Sequence, residues 1–359
     1  MKFSLTNIPP INITPMKVKS IFFRSNTGKI AALSEITGVF FVGSLLSSLL
    51  FQWADIRGNP LAALLEVNPD TFAISWQLAK VLFLQYAGWL TLALVLNFAY
   101  RHSGRKDIGI TLNGQRFIML SLMAIVAWAV ADFAFKIIWI LDAEFDIGTS
   151  VPWREALING EKSAGWWALM AVGSFGLVPV LEELFWRGYV QARLHHSFSP
   201  SIAIVASAAM FTFSHSQYHH FDGYHIATIG ALFFNALVLG WLFHTTRSLW
   251  PVIFMHALVN TPTDGISMYL AIAIMSVIIS LNWQLILRAY KEFKTLFITD
   301  RYQIVDIVAI IVVSAMMFAL SQAPQWVMYF GYIGLPLAAI WAVSYRVVAR
   351  NAVKSLVQY

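Results

Sequence analysis

Apolar residues fall along this chain in long blocks, separated by short polar stretches that hold most of the charges. A helix crossing a bilayer core needs about 20 such residues. The blocks near 31–53, 74–99, 117–141, 164–187, 200–217, 225–244, 250–263, 266–287, 303–321 and 326–345 are therefore expected to be spanning helices, about ten in all. The expected fold class is all-α, a polytopic transmembrane helix bundle. No internal repeat, low-complexity tract or soluble domain interrupts the pattern.

Composition agrees with the pattern. Hydrophobic residues make up 58% of the 359 and charged ones only 12%, against about 25% charged in soluble domains. Mean hydropathy is +0.67. The net charge of +6 does not point to nucleic acid, because the basic residues sit between apolar spans, where they report topology. Basic loops (Arg101, Arg105 and Lys106; Arg193; Arg247; Arg288, Lys291 and Lys294) alternate with acidic ones (Asp55, Glu66 and Asp70; Asp142, Glu144, Asp146, Glu155 and Glu161). A basic stretch precedes the first span, with Lys2, Lys17, Lys19, Arg24 and Lys29, and another closes the chain, with Arg346, Arg350 and Lys354. Both termini are thus expected to be cytoplasmic, and the first block is expected to be a retained helix. Trp53, Trp76, Trp139, Trp153 and Trp326 fall near the expected interfaces. The absence of cysteine excludes disulfides and cysteine-nucleophile chemistry.

Ionisable residues inside the spans are the candidates for chemistry. Asp132 and Lys136 lie four apart on one helical face and read as a structural ion pair. In "EELFWR", Glu183 and Arg187 have the same spacing and can pair, while Glu182 points about 100° away around the helix. The division expected is that Glu183 and Arg187 hold the site and Glu182 is the free base. His215, in "MFTFSHSQ", lies as far beyond the "SFSPS" turn as Glu182 lies before it, so both are expected at one depth. His256 and Asn260, in "FMHALVN", are four apart on a further helix. One glutamate, two histidines and an asparagine suit water activation with an oxyanion donor. They would equally serve a divalent metal with ligands gathered from separate helices, and the spacing leaves both open. "HHFDGYH" (His219, His220, Asp222, His225) is a second metal candidate, read more simply as a polar turn, and His195 and His196 read as interfacial.

In order, Glu-Glu-x-x-x-Arg (Glu182, Glu183, Arg187), Phe-x-x-x-His (Phe211, His215) and His-x-x-x-Asn (His256, Asn260) resemble the CPBP intramembrane proteases. That family, the CAAX protease and bacteriocin-processing or ABI family, includes the CAAX prenyl endopeptidase. The stretch "LVLGWLFHTTRSLWPVIFMHALVN" is similar to the family's wording as well. The resemblance covers 164–263, the expected protease core; the charge and apolar pattern adds a basic cytoplasmic tail over 1–30, N-terminal membrane helices over 31–163, and C-terminal membrane helices with a short basic tail over 264–359. The resemblance implies an endopeptidase acting at or within the membrane on a peptide or membrane-protein substrate. Glu182 with His215 would activate water, His256 with Asn260 would form the oxyanion site, and Glu183, Arg187 and Phe211 would support them. The family has been described both as metalloproteases and as glutamate proteases, so Zn2+ on Glu182, His215 and His256 is a candidate cofactor. No organic cofactor is expected, and the bacterial cytoplasmic membrane is the expected location. The competing readings are a non-catalytic scaffold or bacteriocin-immunity protein, and an ion- or proton-coupled transporter.

Overall fold

The computed structural model describes residues 26–56, 71–96, 114–148, 160–261, 263, 265–300 and 303–322. Every regular element among them is helical. In chain order these are α1 (Asn26–Trp53), α2 (Thr71–Val95), α3 (Gly114–Phe145), α4 (Ala164–His195), α5 (Pro200–Phe213), α6 (Gly223–Thr246), α7 (Trp250–Val259), α8 (Gly265–Leu281), α9 (Trp283–Thr299) and α10 (Ile304–Gln322).

Five of the helices, α1, α2, α3, α4 and α6, are long and apolar enough to cross a membrane. The multi-pass class therefore holds, but the expected count of ten is not reached among the described residues. Helices α5 and α7 have 14 and 10 residues. At 1.5 Å per residue they reach about 21 and 15 Å, short of a core about 30 Å thick. The expected span 266–287 is instead part of two helices, α8 and α9, bent by 78° at Asn282, which bring the total to six if counted as one span. Hydropathy alone merges such elements, because it registers apolar content and not direction. The expected span 326–345, the basic ends of the chain, Trp153 and Trp326 lie outside the described residues.

Two apolar clusters hold the bundle. The larger is aromatic: Phe40 of α1, Tyr86 and Trp89 of α2 and Phe211 of α5 close around Phe185, Trp186 and Tyr189 of α4. The Trp89 and Phe185 rings stack at 5.2 Å, and Phe40 meets Trp89 edge-on at 5.0 Å, separations at which aromatic pairs attract beyond their burial. The smaller cluster joins α3, α6 and α7 through Ala124, Ala131, Leu239, Phe243 and Met255.

Charges sort to opposite ends. Arg116, entering α3, donates to the Thr246 carbonyl at the end of α6, and Asp300, ending α9, accepts from the Ser201 amide that opens α5, at 3.0 Å. Lys29 lies 5.6 Å over the Phe198 ring. These contacts gather basic residues at one end, whereas Ile147 and Tyr224 meet at the other, among Asp142, Asp146 and Asp222. One expected loop charge proves to be internal. Arg193 is buried and pairs with Glu35 of α1 at 2.8 Å, and the Tyr189 hydroxyl donates to the same carboxylate at 3.1 Å. Within α3, Asp132 and Lys136 pair at 3.4 Å as their spacing suggests, with Trp128 donating to Asp132.

Helices α1 and α2 pack closely through glycine. A Cβ on Gly43 would lie 2.6 Å from Trp89, and one on Gly88 would run into the Gly43 carbonyl and Ser47. Small residues permit such approach of membrane helices. Gly88→Ala is expected to destabilise the protein by about 1–3 kcal/mol through overpacking, seen as a lower unfolding temperature in detergent.

Candidate active site

Helix α4 carries the first motif and is not a uniform α-helix. It is π-helical over Met170–Leu177, α-helical over Val178–Glu183 and π-helical again over Leu184–Gln191. Pro179 stands in the first turn of the central segment and brings no N–H to the ladder, which forces a local change of hydrogen bonding. Widened turns of this kind recur at functional sites. The first half of α4 exposes Trp167, Val172 and Leu177, while Glu182, Glu183 and every residue from Phe185 to Gln191 are buried.

The buried charges converge from α4 and α7. Arg187 Nη1 donates to Glu183 Oε1 at 3.0 Å, one turn away as expected. His256 Nδ1 reaches the same oxygen at 2.6 Å. A carboxylate can only accept, so Nδ1 carries the proton and the other nitrogen is aimed elsewhere. That nitrogen, Nε2, faces Glu182 Oε2 at 3.6 Å. Arg187 Nη2 donates to the Ala236 carbonyl of α6 at 3.2 Å, and its guanidinium lies 4.8 Å over the Phe211 ring. A desolvated cation on an aromatic face contributes about 2 kcal/mol, which accounts for a phenylalanine at this motif position. Glu183 Oε2 and Arg187 Nε stay buried without a protein partner among the described residues.

The structure brings His256, rather than His215, to Glu182. Helix α5 ends at Phe213, so His215 lies in the turn beyond it. Its Nδ1 donates to the Phe211 carbonyl at 2.7 Å, which leaves Nε2 with a lone pair. His215 makes no ion pair with Glu182, but both imidazoles border Phe211, at ring distances of 4.6 and 6.1 Å. Asn260 Nδ2 donates to the Ser174 carbonyl at 3.1 Å, and Ser174 Oγ donates back to the Asn260 carbonyl. The end of α7 is thereby clasped to the first π-helical stretch of α4.

One participant has no sequence signal. The Tyr86 hydroxyl, on α2, accepts from Trp186 Nε1 at 3.1 Å and stands beside the Glu182 carboxylate. A tyrosine within an apolar span looks like any other core aromatic. Glu35, not among the candidates above, does carry a sequence signal, as an acidic residue inside the first span, the usual mark of a buried partner.

The other candidate cluster is an end cap. Asp222 accepts from the His225 amide at 2.9 Å and from His225 Nδ1, fixing the start of α6. Burial, and then the neighbouring His220, hold His219 below the ordinary histidine value. The His195 and His244 rings lie 5.2 Å apart, tilted, at the basic end. Among the described residues no three histidine, aspartate or glutamate side chains are grouped so as to hold a metal ion. Glu182, His215 and His256 thus present no ready-made ligand set.

Residues 164–262 match the family model described as type II CAAX prenyl endopeptidase Rce1-like. The resemblance read from the motifs is thereby borne out over the segment that contains all of them. No curated protein matches the chain, and neither does any solved structure.

Removing one partner of a buried ion pair strands the other, at a cost of about 3–5 kcal/mol. Arg187→Met is expected to lose that much stability, while Tyr86→Phe, which deletes a single hydrogen bond, loses about 1 kcal/mol. Thermal unfolding of the two variants in detergent checks the order.

Proposed function

We propose that the chain is an intramembrane endopeptidase in which Glu182 and His256 act together on a water molecule. The observation that carries this reading is the orientation of His256. Its Nδ1 is held by Glu183 at 2.6 Å, and its Nε2 is turned toward Glu182 at 3.6 Å. A third group fixing the tautomer of a working imidazole is the usual logic of acid–base sites. Two acceptors at this separation can share the two hydrogens of one water, leaving an oxygen lone pair for a peptide carbonyl.

In the reaction, Glu182 removes a proton from water as the oxygen bonds to the carbonyl carbon. The carbon–nitrogen bond then breaks as that proton reaches the leaving nitrogen, by way of Glu182 or His256. Arg187 offsets the negative charge on Glu183, so that His256 is positioned without adding a second free carboxylate to the site. Asn260 gives one amide hydrogen to Ser174; the other is the donor we assign to the oxyanion. His215 Nε2 is assigned to orienting the water or the peptide beside Phe211. Buried charges act strongly in such a setting because little solvent screens them.

Access is assigned from the side of the bundle. The first half of α4 exposes apolar side chains, whereas the carboxylates lie at its buried second half. Glu182 is 13 residues from His195, roughly 20 Å along the helix from the basic end. The substrate class that accords with the matched family is a membrane-presented protein tail, of the lipidated CAAX type or a peptide of similar chemistry.

Glu182→Gln keeps the size and polarity of the side chain but cannot take a proton, and is expected to lower cleavage by about 10²–10⁴-fold. Comparing protein termini in membranes of cells with wild-type protein or the variant, at equal abundance, checks this. A terminus dependent on wild type supports the reading; identical termini overturn it.

A further inference from the structure

Helix α9 has three faces and none of its residues is buried. At 100° per residue, Lys291, Gln284, Thr295, Arg288, Thr299 and Glu292 share one arc of about 100°, and all six are exposed. Leu285, Ile286, Ala289, Phe293, Leu296 and Phe297 occupy a second arc and are half-buried. Between them lies an apolar edge that the bundle covers only at Leu287, which is half-buried: Trp283, Tyr290 and Ile298 are 51%, 58% and 70% exposed. Lys294 stands in that edge and is also exposed.

The direction of the helix says what this edge meets. Helix α8 is almost wholly apolar and packs along α3, a candidate span. Helix α9 turns 78° away from it, so with α8 upright α9 lies close to the plane of the bilayer. It does so at the basic end, where Asp300 closes α9 by accepting from the Ser201 amide of α5. Arg288, Lys291 and Lys294 form no ion pair among the described residues. A helix in the membrane plane, with aromatic side chains on one edge and cations beside it, matches an interfacial lipid-binding helix.

We propose that α9 is an interfacial helix that docks the basic end of the bundle onto acidic phospholipid. Trp283, Tyr290 and Ile298 enter the boundary between headgroups and acyl chains. Arg288, Lys291 and Lys294 meet lipid phosphates, Lys294 by extending its charged tip past its apolar stem. Through Asp300 and Ser201 the docked helix is tied to α5, the helix that ends beside His215.

The lack of cysteine makes single-site labelling direct. Full-length Tyr290→Cys, Ile298→Cys and Thr295→Cys variants are spin-labelled in vesicles of phosphatidylcholine with phosphatidylglycerol, and collisions with oxygen and with a water-soluble nickel chelate are measured. Labels at 290 and 298 are expected to favour oxygen, and the label at 295 to favour nickel. Equal exposure of all three to nickel overturns the proposal, and so does shielding of all three from both reagents, which would mean a protein partner. Full-length Arg288→Gln, Lys291→Gln and Lys294→Gln variants then test the charge by lipid retained through purification. Each is expected to weaken the preference for phosphatidylglycerol over phosphatidylcholine by about fivefold; an unchanged ratio overturns the assignment to acidic lipid.

Discussion

The cost of placing a carboxylate in low-dielectric surroundings governs this domain. An unpaired charge there is penalised by several kcal/mol even after relaxation, and α4 carries two adjacent glutamates. The structure meets the constraint by concentrating compensation on one of them. Glu183 receives Arg187 and His256, and Arg187 is in turn held by the Ala236 carbonyl and the Phe211 ring. Four helices, α4, α5, α6 and α7, are fastened around one carboxylate oxygen. Glu182, the other carboxylate, faces the His256 Nε2 nitrogen at 3.6 Å and has no such pairing among the described residues. In the mechanism proposed above, support and reactivity are thereby separated between neighbours in sequence.

The unusual winding of α4 serves the same arrangement. The two glutamates occupy the short α-helical segment between two π-helical ones. Across each widened turn side chains rotate relative to a regular helix, which lets Phe185, Trp186 and Tyr189 join the aromatic cluster of α1 and α2 while Arg187 turns to α5 and α6. The Asn260–Ser174 clasp fixes the end of α7 against the first widened stretch, and so sets where His256 stands.

What the sequence revealed follows from which rules are local. The Glu183–Arg187 pair was legible because one helical turn brings residues four apart together, and the Asp132–Lys136 pair for the same reason. The partner of Glu182 was not. Matching it to His215 assumed straight α-helices of equal rise, but α4 contains two π-helical stretches and α5 stops at Phe213. Each shifts the register by more than the count can absorb. Tyr86 left no trace because its role depends on how α2 packs. Helices α5 and α7 look like spans in an apolar profile and prove too short, and α9 looks like the end of a span joined to a basic loop, although its polar residues recur at helical spacing.

The separation of roles is tested most directly by unfolding Glu182→Gln and Glu183→Gln side by side with wild type in one detergent. The account predicts that Glu182→Gln stays within about 1 kcal/mol of wild type, since Glu182 forms no ion pair with an arginine or lysine among the described residues and its neutral amide strands no partner charge. Glu183→Gln should lose about 3–5 kcal/mol, because it leaves Arg187 buried without its counter-charge. The opposite order, with Glu182→Gln unfolding and Glu183→Gln unaffected, would contradict it.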